Sequence, residues 1–177
     1  PIHIGAEAEL YKEGNVLIKK RIKKSYRIKE IDDPLRKRRT KREAKVLEKA
    51  ECNTPKLLKL DEKNMIIEMD YINGKTLKDI LDSSDKQKEI VQNFAKQIAI
   101  LHNQTIIHGD LTTSNAILKG NEVYLIDFGL SFFSHKLEDM ATDLKLLKQA
   151  LESKHHKIFD KCYKLILQTY KKEAIKG

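Results

Sequence analysis

The chain has 177 residues, 40% of them hydrophobic and 34% charged, which is enough to bury one core; 35 Lys+Arg against 26 Asp+Glu give a net charge of +9 and exclude an acidic protein. No run approaches the roughly 20 apolar residues that span a bilayer and no signal peptide opens the chain, so a soluble cytoplasmic protein with no membrane partner is expected. Cys52 and Cys162 stand far apart without C-x-x-C spacing, which points to two ordinary thiols and away from a zinc site or a disulfide framework.

In chain order, Gly5-Ala6-Glu7-Ala8 leads into a hairpin of residues 8–12 and 16–20, with Gly14 and Asn15 supplying the turn. Asp33-Pro34 reads as an N-cap followed by Pro at the first helical position. The helix they open extends to about residue 51, with Glu43, Val46, Leu47 and Ala50 on one face. Residues 56–60 and 65–69 read as two more strands, followed by a connection through Asp70-Tyr71-Ile72-Asn73-Gly74. Beyond it helices dominate, a short one over 75–81 and a long amphipathic one over 86–102 with Ile90, Phe94, Ile98 and Leu101 as its buried stripe. Apolar runs at 115–118 and 123–126 around Gly120-Asn121 form a small hairpin, and helices at about 139–153 and 157–172 close the chain. His155 and His156 read as an exposed helix end, since no other metal-ligand type lies near them in sequence. The pattern is an α+β fold: a small antiparallel sheet with one main helix, then a mostly helical part.

The charge is uneven. Residues 19–45 hold 14 basic and 4 acidic side chains, so the whole positive excess lies there. Such a segment attracts polyanions, nucleic acid or an acidic partner surface, or is simply a solvated helix face.

Two loops carry the chemistry. His108-Gly109-Asp110-Leu111-Thr112-Thr113-Ser114-Asn115 lies before the second hairpin, and Asp127-Phe128-Gly129 lies after it. Phosphoryl transfer needs a group that orients the attacking hydroxyl or water, for which Asp110 is the candidate. It also needs oxygen ligands for magnesium, for which Asn115 and Asp127 are the candidates. Upstream, Val16-Leu17-Ile18-Lys19 has the form of a strand lysine that contacts nucleotide phosphates, with Glu43 as the ion-pair partner that aims it. Each piece alone is weak; together, in order and with the right elements between them, they are specific.

This constellation resembles the protein kinase superfamily, and its departures narrow the resemblance. His-Gly-Asp replaces His-Arg-Asp, Thr112 stands where a loop lysine is usual, the glycine-rich loop shrinks to Gly5-Ala6-Glu7-Ala8, and no Ala-Pro-Glu follows Asp127-Phe128-Gly129. With Lys24-x-Tyr26-Arg27 and Glu138-Asp139-x-Ala141-x-Asp143-Leu144, the chain resembles a small RIO-like lineage, the atypical kinase/ATPase subunit of the KEOPS complex.

That resemblance implies a minimal bilobal kinase-like domain with an N-terminal lobe over 1–72 and a truncated helical lobe over 73–177. It implies ATP and magnesium as cofactors, Ser/Thr autophosphorylation, and ATPase action in a complex that forms threonylcarbamoyladenosine in tRNAs reading codons that begin with A. Asp110 becomes the catalytic acid/base, Asn115 and Asp127 the metal ligands, and Lys19 with Glu43 the phosphate contact. Gly5 and Ala6 belong to the nucleotide loop, Met69 falls at the gatekeeper position, and the backbone of Asp70 and Ile72 holds the adenine edge. Asp143 braces the catalytic loop, and His108 has an architectural role there. Expected partners are the threonylcarbamoyl-transferase subunit, separate or fused in one polypeptide as Pro1 allows, other KEOPS subunits, and tRNA along residues 19–45. A kinase-shaped scaffold that binds ATP with little turnover is the alternative.

Overall fold

A computed structural model describes residues 2–174; Pro1 and residues 175–177, the ends of the two expected lobes, lie outside the described residues. The first part holds β1 (His3–Ile4), β2 (Ala8–Glu13), β3 (Val16–Arg21), α1 (Lys29–Lys49), β4 (Leu57–Asp61) and β5 (Ile66–Asp70). Its strands form one antiparallel sheet in the order β1-β2-β3-β5-β4. The two-residue pleat places Leu17, Lys19 and Arg21 of β3 on one face, so two cations share the side on which the sheet meets the rest of the molecule.

Helix α1 begins at Lys29, not at Pro34, which sits inside it. Other bonds hold the first turns without a proline N–H: the Ile31 and Asp32 amides both reach the Ile28 carbonyl at 3.0 Å, and buried Asp32 accepts from Arg36 Nε at 2.7 Å. The inward face of α1 is only partly apolar. Asp32, Thr40 and Glu43 are buried beside Ala44, Val46 and Leu47; Thr40, Glu43 and Asp32 Oδ2 are hydrogen-bonded, whereas Asp32 Oδ1 has, among the described residues, only the Arg27 guanidinium at 3.6 Å.

The second part holds β6 (Lys75–Thr76), α2 (Leu77–Ile80), α3 (Gln87–Asn103), β7 (Ile106–Ile107), a 3-10 turn (Thr113–Asn115), β8 (Ala116–Lys119), β9 (Glu122–Leu125), β10 (Phe132–Phe133), α4 (Leu137–Lys154) and α5 (Phe159–Glu173). Residues 75–81 are therefore not one helix: Lys75 and Thr76 pair with Leu118 and Ile117 as an edge strand before a single helical turn. The expected second hairpin also gives up its ends. Asn115 belongs to the 3-10 turn and Ile126 lies past β9, their backbones joined by the Ile126 amide donating to the Asn115 carbonyl at 3.0 Å.

Helix α3 runs through the core of this part, with Ile90, Phe94, Ile98 and Leu101 buried alongside Leu125, Leu147, Leu151 and Ile166. Each such side chain contributes about 1.5–3 kcal/mol by leaving water. Cys52 and Cys162 are free and buried, and burial pushes the Cys52 thiol up to about 12, so neither is a reactive thiolate. No helix among the described residues is long and apolar enough to cross a membrane.

Candidate active site

Between the five-stranded sheet and the helical part lies a cleft of about 860 Å³. Gly5, Ala6, Lys19, Glu43, Met69, Asp70, Ile72, Asp110, Asn115 and Asp127 all line it, although they are scattered over more than 120 positions of the chain.

On the sheet side, charge organises the site. Lys19 is 8% exposed and its Nζ donates at 2.9 Å to both Glu43 Oε1 and Asp127 Oδ1. Burial pulls the lysine's pKa down, but the Glu43 and Asp127 carboxylates outweigh it and hold the ammonium above its ordinary value. Burial pushes Asp127 up, and the Lys19 ammonium outweighs that in turn, leaving the carboxyl below its ordinary range. Asp127 adopts φ +61°, a left-handed conformation that Asp tolerates better than most residues. Glu43 is fully buried and its second oxygen accepts from Arg21 Nη2, so one carboxylate answers two cations. Arg21 in turn dictates the residue after Phe128: a Cβ at Gly129 would lie 2.7 Å from the guanidinium. Along the rim, Glu7 of the loop before β2 meets Arg39 at 3.2 Å and Arg27 at 3.7 Å.

On the loop side, hydrogen bonds to backbone and side-chain groups hold the residues in place. Asn115 Nδ2 donates to the Asp110 carbonyl at 2.9 Å and to its Oδ2 at 3.0 Å. His108 is fully buried; Nε2 donates to the Ile126 carbonyl at 2.8 Å and Nδ1 accepts from the Asp110 amide at 3.1 Å, so its two partners fix the tautomer. Asp143 accepts from the His108 amide at 2.8 Å, the Gly109 amide at 2.9 Å and His102 Nε2 at 2.8 Å. His102 Nδ1 then accepts from the Tyr170 hydroxyl at 2.8 Å, which ties α5 to the loop. Gly109 has φ +84°, and a Cβ there would lie 2.2 Å from the Leu130 carbonyl oxygen.

At the back of the cleft Met69 and Ile67 point the same way from β5, buried, and Met69 faces Leu17 across the strand pair. The Asp70 amide is bonded to the Lys56 carbonyl at 3.0 Å, while the Ile72 amide has no partner among the described residues.

The residues fit a magnesium ion. The amide nitrogen of Asn115 is used by Asp110, which leaves its oxygen, and Lys19 occupies only one oxygen of Asp127. Two hard oxygen donors facing a cleft suit a cation that keeps several waters and takes its remaining ligands from phosphates. No group of three His, Cys, Asp or Glu able to hold a metal occurs among the described residues.

Three features were not legible in the sequence. Arg21 is one of many cations in a basic segment, and only the pleat of β3 separates it from its exposed neighbour Lys20. His102 and Tyr170 lie 68 residues apart. His155, expected at an exposed helix end, is buried: Nε2 meets Thr113 Oγ1 and Nδ1 meets Asp82 Oδ1, each at 2.8 Å. His156 beside it is exposed. The basic segment is divided as well. Lys19 and Arg21 are buried in the cleft and Arg36 is paired with Asp32 and Asp33, whereas Lys20, Lys23, Lys29, Lys37, Arg38 and Arg42 remain exposed.

Fold and site together define a protein of the kinase type, and comparison with known proteins narrows this. A family model described as the RIO domain matches residues 11–161. The KEOPS complex subunit Bud32 of Pyrococcus abyssi is 44% identical over 96% of this chain and 80% of its own length. A probable serine/threonine-protein kinase BUD32 homolog of Archaeoglobus fulgidus is 41% identical over 86% of this chain and 76% of its own length. A probable bifunctional tRNA threonylcarbamoyladenosine biosynthesis protein of Methanothermobacter thermautotrophicus is 39% identical over 95% of this chain, which spans only 32% of that longer protein. Among solved structures, the Rio2 kinase of Chaetomium thermophilum in an ADP/Mg2+-phosphoaspartate complex superposes with a TM-score of 0.67 at 14% identity, covering 92% of this chain and 59% of the other. The chain belongs to the RIO-domain kinase family, in the branch formed by the Bud32 proteins.

Proposed function

We propose that this chain is the ATP- and magnesium-dependent Ser/Thr kinase/ATPase subunit of a KEOPS complex, consuming ATP while the complex forms threonylcarbamoyladenosine in tRNA. The observation that carries the reading is Lys19 Nζ held between Glu43 and Asp127 on a cleft that also holds the bonded pair Asp110 and Asn115. Family membership supports it, since the relatives' names state the same assembly and product.

In this reading residues 1–72 form the nucleotide-gripping lobe and 73–177 the catalytic lobe. Gly5 and Ala6 cover the phosphates, Met69 backs the adenine pocket, and the Asp70 carbonyl and Ile72 amide meet the adenine edge. Lys19, aimed by Glu43, contacts the phosphates as a fixed positive charge. Asn115 and Asp127 hold the magnesium, which when bound neutralises charge on the phosphate oxygens. Asp110 takes the proton of the attacking hydroxyl or water on Oδ1, because Oδ2 is held by Asn115. Thr112 in place of a loop lysine favours water or a tethered serine as acceptor over diverse protein substrates. The exposed lysines and arginines of residues 20–42 are the candidate tRNA contact, and the transferase, separate or fused, is the candidate partner.

The test is magnesium-dependent ATP hydrolysis by the purified chain and by Asp127→Ala, with and without the transferase subunit and tRNA. Turnover that disappears in the variant and rises with the partners is expected, with a steep salt dependence of the tRNA effect. ATP binding without turnover under every condition would favour the scaffold instead.

A further inference from the structure

The buried histidine at the end of α4 has no part in the chemistry above, yet it reaches the loop that carries it. His155 is 1% exposed and both ring nitrogens are engaged, Nδ1 by Asp82 and Nε2 by Thr113. If Asp82 accepts the Nδ1 proton, Nε2 is left as the acceptor for the Thr113 hydroxyl, so the three groups form a directed chain. Asp82 follows α2 and is half exposed, His155 caps α4, and Thr113 opens the 3-10 turn that ends at Asn115. Thr113 is itself 1% exposed, so its hydroxyl meets no substrate; what it can transmit is position.

We propose that Asp82, His155 and Thr113 form a positioning relay that sets the Thr113–Asn115 turn so that the Asn115 amide oxygen is presented to the nucleotide-bound metal. The proposal rests on the assignment of Asn115 as a metal ligand. The turn is short and lacks a side-chain cap; apart from Thr113, its backbone is held by the Asn115 amide on the Thr112 carbonyl at 3.2 Å and the Asn115 carbonyl under the Ile126 amide at 3.0 Å, while the Asn115 side chain is tied through Nδ2 to Asp110, so Thr113 adds the one side-chain bond at the start of the turn. At the other end of the loop Asp143 and His102 hold residues 108 and 109. A histidine and carboxylate pair therefore pins each end, and the end nearer the metal ligand is the one held by His155. Groups that orient metal ligands in this way typically change metal affinity about 10–100-fold when removed.

Thr113→Val deletes the hydroxyl at nearly constant volume and Thr113→Ser keeps it. With the full chain, Mn2+ affinity is measured by electron paramagnetic resonance in the presence of a non-hydrolysable ATP analogue, and analogue affinity without metal by calorimetry. Thr113→Val should weaken Mn2+ binding about 10-fold with metal-free nucleotide affinity unchanged, and Thr113→Ser should match the parent. Asp82→Asn, at a half-exposed position, should fall between them. Parent-like Mn2+ binding by Thr113→Val, or equal loss in Thr113→Ser, overturns the relay. Weakening of metal and nucleotide binding together also overturns it, because that marks a general loosening of the cleft. If the parent chain binds the analogue but no Mn2+, the metal-ligand assignment fails first and takes the relay with it.

Discussion

On the sheet side of the cleft, Lys19 and Arg21 are buried cations answered by Glu43 and Asp127. On the loop side, Asp110 and Asn115 are set by amides, histidine tautomers and a single carboxylate, Asp143, buried behind them. The difference teaches which wall is built to change. An ion-paired lysine can exchange one anionic partner for another, so Lys19 can meet phosphate oxygens without leaving a buried charge unpaired. A loop whose donors and acceptors are already matched has no such freedom and serves as a fixed frame.

The comparison can be broken most severely at Asp110. Asp110→Asn removes the proposed proton acceptor and leaves the frame, so kcat should fall about 10²–10⁴-fold while ATP affinity holds, as single-turnover kinetics and nucleotide titration will read. Asp143→Ala attacks the frame, stranding the His108 and Gly109 amides and His102 in a buried site. At about 1–3 kcal/mol for each unsatisfied group, a loss of several kcal/mol and a fall in melting temperature on the order of 10 °C are expected in calorimetry. Arg21→Met leaves one Glu43 oxygen unanswered and should cost less, about 1–3 kcal/mol in urea titration, with the Lys19 contact kept.

Acidity sharpens the contrast further. The folded Asp127 carboxyl lies below its unfolded value, so its contribution to stability is present above about pH 4 and is lost as pH falls through the folded value. Lys19 is raised, so its contribution is complete below about pH 10 and is lost as pH rises through the folded value. The stability gap between the parent and Lys19→Met should stay constant from about pH 5 to 9 and shrink on further acidification, measured as the urea midpoint across pH. The smallest effect on stability belongs to the metal: chelation should stop ATP turnover yet leave the melting temperature of the nucleotide-free chain unmoved, because the core is closed by apolar side chains.

Much of this was legible in the residues because local rules produce it. The stripe of α3 follows the helical period, the β2–β3 hairpin follows its turn residues, and the spacing of Asp110, Asn115 and Asp127 around a hairpin leads to a shared cleft. Where the reading slipped, long-range contacts overrode a local signal. Asp33-Pro34 is a strong helix start, yet Asp32 buried against Arg36 extends α1 back to Lys29. Lys75 and Thr76 sit in a helix-like stretch, yet pairing with β8 draws them into a sheet.

The sequence by itself determined the α+β pattern, the order of the candidate catalytic elements and the residue types that the proposed chemistry requires, because periodicity, turn chemistry and motif spacing are properties of neighbours along the chain. Only the tertiary structure decided that Arg21 shares Glu43, that Tyr170 and His102 stand behind Asp143, and that His155 joins Asp82 to Thr113. Those partners lie from 22 to 73 residues apart, and a buried polar group leaves no mark in the sequence until packing chooses what will answer it.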